Sequence, residues 1–185
     1  LIRVPDRYAV AIEIALGSAM QNLVVEREED GKAAISYLKR RDAGRATFLP
    51  LTSMRPREFR DAAAAREPGF LGLGDKLIEF DKQYEKVFSN LLGNTVIAED
   101  MDRAIAIARK YGHRFKIVTL DGQVLNPGGS MTGGSVSRSA GILSRANELE
   151  RLNTQITGVE QSLAAAAKAL EEAQREATAA AYEME

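Results

Sequence analysis

From Leu149 to Met184 the apolar positions advance by three and four residues in strict alternation: Leu149, Leu152, Ile156, Val159, Leu163, Ala166, Leu170, Ala173, Ala177, Ala180 and Met184. A mean step of 3.5 keeps one narrow stripe on one side of a helix, which is the seam of a coiled coil. A helix lying on a globule carries a wider apolar face and more aromatics. At a rise of about 1.5 Å per residue the segment is predicted to extend roughly 60 Å, too far to pack on its own small domain. Such a seam needs a partner helix, and the chain supplies no second heptad segment. The partner is expected to be missing or to lie in another chain.

The preceding residues follow shorter periods and contain a repeat. The first unit opens with a predicted helix on Tyr8, Ile12, Ala15 and Leu16 that stops at Gly17. A strand from Leu23 to Glu26, a helix over Lys32 to Arg40 and a strand from Ala46 to Leu51 follow. The second unit opens with a helix on Tyr84, Val87, Phe88, Leu91 and Leu92 that stops at Gly93. It continues with a strand from Thr95 to Glu99, a helix on Met101, Ala104, Ile105 and Ala108, and a strand from Phe115 to Leu120. In both units the Tyr stands nine residues before the Gly. A glycine after the last periodic residue is the usual left-handed helix stop, and helices alternating with apolar strands indicate sheets with helical cover. The stretch from Ser53 to Lys82, with Pro56, Pro68, Gly69, Gly72 and Gly74, reads as a mostly irregular connector with some helix near Arg57 to Arg66.

Composition changes the picture only once it is divided. The 185 residues carry 25 Lys and Arg against 26 Asp and Glu, with one His and no Cys. Leu143 to Glu185 holds four basic and eight acidic residues, so the rest is mildly basic, with 21 against 18. Ten of the eleven Phe and Tyr residues and all five prolines lie before position 142. No apolar run approaches the roughly 20 residues of a membrane span, and residues 1–10 do not form a signal peptide. The lack of cysteine excludes thiol nucleophiles, disulfides, Cys-ligated zinc and a Cys-x-x-Cys hook. A single histidine makes Ser-His triads and His-rich metal sites hard to build.

The densest local signal is Asn126-Pro127-Gly128-Gly129-Ser130-Met131-Thr132-Gly133-Gly134-Ser135. A phosphate loop needs Gly-Lys-Ser/Thr opening a helix, and here Gly134-Ser135 leads to Val136-Ser137-Arg138. Glycines beside a strand more often mark a bulge or a close approach of another backbone, a place suited to strand addition by a second subunit. Glu99, Asp100 and Asp102 are expected to cap a helix rather than hold a cation, and His113 is expected to be a turn residue. No catalytic constellation emerges.

Gly44-Arg45-Ala46-Thr47-Phe48-Leu49-Pro50-Leu51, together with Gly129-Ser130-Met131-Thr132-Gly133-Gly134 and a heptad helix beginning near Leu143-Ser144-Arg145, resembles the hinge domain of bacterial SMC (structural maintenance of chromosomes) proteins. The likeness extends over nearly the whole chain, through Gln21 to Glu26, Phe70-Leu71-Gly72, Leu91-Leu92-Gly93 and Ile117 to Gly122. It implies an α+β fold in which residues 1–142 form the hinge: a first subdomain of about 1–56, a connector of about 57–82 and a second subdomain of about 83–142. Residues 143–185 would begin the outgoing coiled-coil arm. The antiparallel incoming helix would normally precede Leu1, so the resemblance leads to the expectation of an excised fragment.

By the same resemblance the chain is a homodimerisation module, with Gly128, Gly129, Ser130, Met131, Thr132, Gly133 and Gly134 at the hinge–hinge contact. Family hinges touch DNA weakly and without sequence preference through basic residues near the coil. The candidates are Arg138, Arg145 and the cluster Lys39, Arg40, Arg41; the run of lysines that often follows the glycine motif is missing. The fragment is expected to need no cofactor. ATP and magnesium belong to ABC-type heads of the parent protein, as does a kleisin-type subunit, and the setting implied is cytoplasmic and nucleoid-associated. The alternative is an α/β enzyme that binds a phosphate-bearing ligand at loop 128–135, and a third possibility is a coiled-coil scaffold merely capped by the globule.

Overall fold

The computed structural model describes residues 1–135 and 141–183. The chain divides into two units, Leu1–Ser144 and Arg145–Glu185. In the first unit the order is β1 (Ile2–Arg3), α1 (Asp6–Leu16), β2 (Leu23–Val25), α2 (Glu28–Arg41), β3 (Phe48–Pro50), β4 (Phe70–Leu73), β5 (Glu79–Phe80), α3 (Glu85–Leu92), β6 (Thr95–Ala98), α4 (Met101–Lys110), β7 (Lys116–Thr119), β8 (Val124–Leu125) and β9 (Met131–Thr132). The final helix, α5, runs from Ile142 to Glu183.

The order helix, strand, helix, strand occurs twice, as α1-β2-α2-β3 and α3-β6-α4-β7. In each case the helix between the strands makes them parallel: β2 pairs with β3 with Leu23 opposite Phe48, and β6 pairs with β7 with Thr95 opposite Lys116. The second pair sits inside a five-stranded sheet of order β4-β6-β7-β8-β9, whereas the first remains a two-stranded sheet.

Side chains alternate across the large sheet and feed two cores. Ile97 and Val118 face Ile12, Leu16, Phe88 and Leu92 of α1 and α3. Val96, Ala98 and Ile117 face Ala104, Ile107 and Ala108 of α4, with Phe115 beside them. Helical cover on both faces leaves every residue of β6 buried, the usual condition of parallel strands. Notably, α1 packs its apolar stripe of Ala11, Ile12 and Ala15 into the core of the second repeat.

Two sequence expectations change. The connector contributes β4, an edge strand of the large sheet, and β5, which pairs antiparallel with β1. Its Phe59 packs edge-on against Phe115 with ring centroids 5.0 Å apart, and Ala64 is fully buried. The Leu-Gly helix ends also differ. Gly17 has a positive φ of 50° but a ψ of −127°, outside the left-handed helical well, and its N–H closes an ordinary last turn on the Glu13 carbonyl, so the expected left-handed stop is not formed. Gly93 keeps a right-handed φ of −65°; it is small because a Cβ there would lie 2.7 Å from the Arg57 carbonyl oxygen.

The start of α5 is fastened by a side chain. The Glu13 carboxylate accepts the N–H groups of Ile142 (3.0 Å) and Leu143 (3.3 Å). These N–H groups have no partner within the helix, and Gly141 leaves room for the carboxylate, since a Cβ would approach Glu13 Cδ to 2.8 Å. Along α5 the seam residues Leu149, Ile156, Val159, Leu163 and Leu170 are exposed.

Candidate functional site

The glycine segment forms one hairpin. β8 and β9 pair antiparallel with Val124 opposite Thr132 and Leu125 opposite Met131. Between them the Asn126 N–H donates to the Ser130 carbonyl (2.8 Å) and the Gly129 N–H donates to the Asn126 carbonyl (3.0 Å). Gly128 and Gly129 have φ of 83° and 97°, values that a side chain disfavours. The Gly128 N–H donates to the His113 carbonyl at 2.9 Å, which pins the turn to the end of α4.

The second glycine pair serves another purpose. Gln123 stands opposite Gly133, one step beyond the Val124–Thr132 pair. Its Oε1 accepts the Gly134 N–H at 3.0 Å and its Nε2 donates to the Gly134 carbonyl at 3.1 Å. A methyl group on Gly133 would run into Gln123 Oε1. Gln123 is itself held by Thr119, whose hydroxyl accepts the Gln123 N–H at 2.9 Å. Gln123 and His113 escaped the sequence reading as partners of this motif. Centring the hairpin on Gly128 would have found Gln123, because register then places it across from Gly133.

The hairpin ends the sheet. No strand among the described residues pairs with the outer side of β9, and Met131 is 56% exposed. An open edge with a large apolar side chain in water is a template for another strand. A second opening lies in the first repeat. The β2–β3 ladder stops at two strands, and Leu23 on β2 is 50% exposed. Beside it α2 buries only Gly31, leaving Ile35 and Tyr37 more than half exposed.

Three of the basic candidates stand together. Lys39, Arg40 and Arg41 occupy the last turn of α2, where their charge complements the helix dipole; the Arg41 guanidinium lies over the Tyr37 ring, 5.8 Å from its centroid. Arg145 belongs to the second unit, and Arg138 lies outside the described residues. The acidic candidate resolves as a cap, with Asp100 Oδ1 accepting the Arg103 N–H at 2.8 Å. His113 adopts a positive φ of 52° at the turn. Among the described residues no group of three His, Asp or Glu side chains is placed to hold a metal, and no helix is long and apolar enough to cross a membrane.

An α+β globule made of two helix-strand-helix-strand repeats, with a glycine-framed sheet edge and a heptad helix after it in the chain, defines the class of hinge modules with a coiled-coil arm. Residues 1–108 match the SMC proteins Flexible Hinge Domain, and the chain belongs to that family. It is 46% identical over 168 residues to the chromosome partition protein Smc of Bacillus subtilis, covering 89% of this chain and 14% of that protein. The Smc protein of Methanocaldococcus jannaschii is 40% identical over 158 residues, 84% of this chain and 13% of the relative. The chain thus spans a small part of these relatives. Among solved structures, the asymmetric dimer of the Geobacillus stearothermophilus SMC hinge domain superposes with a TM-score of 0.78 at 43% identity, covering 89% of this chain and 67% of that one. The Pyrococcus furiosus Smc hinge domain with an extended coiled coil gives 0.62 at 33% identity, covering 95% and 64%.

Proposed function

We propose that the chain is the homodimerisation hinge of a chromosome-partitioning SMC ATPase, joining two coiled-coil arms. The observation that carries this reading is the sheet that ends in the exposed strand β9 while a two-stranded sheet in the same globule is left open at β2–β3. One copy offers both an unpaired edge and a place for one. Two copies related by a two-fold axis would make the same contact twice and close on themselves. The relative from G. stearothermophilus was solved as a dimer, which supports the same assembly here. The seam on α5 awaits an antiparallel incoming helix. ATP, magnesium and a kleisin-type partner belong to the heads of the parent protein.

Weak DNA contact fits the cluster Lys39, Arg40 and Arg41, with Arg138 and Arg145 as further candidates; binding would be sequence-independent and would weaken with salt. A nucleoid setting follows from that role.

Sedimentation of the full chain and of its Gly133→Val variant tests the hinge assignment. The side chain of valine displaces Gln123 and bends the β9 edge, so the dimer is expected to weaken by about tenfold, or about 1.4 kcal/mol, with unchanged circular dichroism. A folded variant that dimerises as tightly as the parent excludes this edge from the interface.

A further inference from the structure

We propose that a polar cavity at the start of β7 binds a small oxyanion of the phosphate type. The cavity measures about 250 Å³ and is lined by Lys116, Arg57, Asn90, Asn94, Thr95 and the end of α1 at Ala15. No carboxylate lines it. Two cations and two carboxamides therefore surround one space with no negative charge to balance them.

The Lys116 ammonium is held in place, and among the described residues it has no carboxylate partner. The Lys116 ammonium has a single acceptor, the Ala15 carbonyl at 3.0 Å, out of three donors. Burial without a paired charge holds it below the ordinary lysine range, and an anion in the cavity would reverse that. The Arg57 backbone is anchored from two sides: Asn90 Nδ2 donates to the neighbouring Arg55 carbonyl at 2.7 Å, and Gly93 lets the Arg57 carbonyl come close. A half-buried ammonium and an exposed arginine that line one cavity suit a tetrahedral oxyanion, which takes several charged hydrogen bonds at once.

Size narrows the ligand. Pockets for drug-sized molecules run from about 300 to 1,000 Å³; this one is smaller and fits inorganic phosphate or a short phosphomonoester better than a nucleotide. Another cavity of similar volume, about 260 Å³, shows the contrast. It is lined by Leu16, Met20, Val24, Val87 and Phe88 among others and offers an anion nothing.

The test is a titration of the isotope-labelled full chain with inorganic phosphate, followed by amide NMR against sodium chloride of equal ionic strength. Saturable shifts are expected at Asn94, Thr95, Lys116 and the side-chain amides of Asn90 and Asn94. Arg57→Gln, which removes no hydrogen bond of the fold, is expected to raise the half-saturation concentration about tenfold, the usual cost of one charged hydrogen bond. Lys116→Met should abolish the shifts, but it also removes the bond to Ala15, so Arg57→Gln is the deciding variant. A short DNA duplex in a parallel titration separates a free anion from a backbone phosphate, and it is expected to leave these amides in place. Shifts that stay linear in phosphate, a half-saturation unchanged by Arg57→Gln, or shifts produced by the duplex alone would each overturn the proposal.

Discussion

The two repeats share an order of elements and differ in what surrounds them. In the second, the parallel pair β6–β7 gained β4 on one side and β8–β9 on the other, with helices over both faces. In the first, β2–β3 gained nothing, and α2 rests on it through Gly31, whose missing Cβ would lie 3.5 Å from Phe48 Cβ. The helix that opens the first repeat is α1, and α1 is committed elsewhere: Ala11, Ile12 and Ala15 are buried against the second repeat. One repeat is therefore the stable platform, and the other is an incomplete sheet with apolar side chains in water. Incompleteness of this kind is what an association surface requires, since its apolar groups gain burial only when a partner arrives.

The sharpest way to break the comparison is to remove equal side chains from each repeat. Ile97 in β6 is fully buried, while Ile35 on α2 is 54% exposed. Ile97→Ala is expected to cost about 3 kcal/mol, within the range for emptying a core site. Ile35→Ala is expected to stay within about 0.5 kcal/mol in dilute solution. Chemical denaturation of both variants measures the difference. Equal losses would mean that the first repeat is closed as tightly as the second, and the distinction drawn between platform and opening would fail.

Much of this was legible in the sequence because the strongest signals are local. The period-3.5 stripe from Leu149 announces α5, and the apolar runs at Thr95 to Ala98 and Ile117 to Thr119 announce the central strands. What could not be read was decided by distant pairing. Phe70-Leu71-Gly72-Leu73 lies between Pro68-Gly69 and another glycine, so it looks like loop, and only its pairing with β6 across a bulge makes it a strand. The glycine motif was visible as a backbone feature, but its reasons are separate: two positive φ angles in the turn, and a close approach by Gln123. Nothing in the spacing announced that Glu13 would cap a helix 129 residues away.

The cap shows α1 serving a second client beyond its own repeat. Glu13→Ala removes the acceptor for the Ile142 and Leu143 N–H groups, a loss of about 1 kcal/mol by analogy with helix N-caps. Amide exchange at those two residues is expected to quicken about fivefold, the equivalent of that energy, and Glu13→Gln, which keeps an acceptor oxygen, should recover part of the protection. Unchanged exchange in Glu13→Ala would show that the first turn of α5 holds without α1.

The smallest effect concerns the helices that follow the first strand of each pair. At the end of α4, Lys110 Nζ reaches the Glu67 carboxylate at 2.6 Å and the Tyr111 hydroxyl donates to the same oxygen at 3.0 Å. The equivalent turn of α2 carries Lys39 and Arg40, and no carboxylate among the described residues is paired to them. The bond from Lys110, and then that from Tyr111, hold the Glu67 carboxyl below its ordinary range. A carboxylate whose folded pKa is depressed adds stability above its unfolded pKa and loses it as pH falls through the folded value. Parent and Glu67→Gln should therefore differ slightly at neutral pH and converge as the pH drops below about 4, the ordinary carboxylate value. The difference should also shrink in high salt, because the pair lies at the surface. A gap that persists undiminished in acid would mean that Glu67 acts by packing rather than by charge, and the two helix ends would then differ in shape alone.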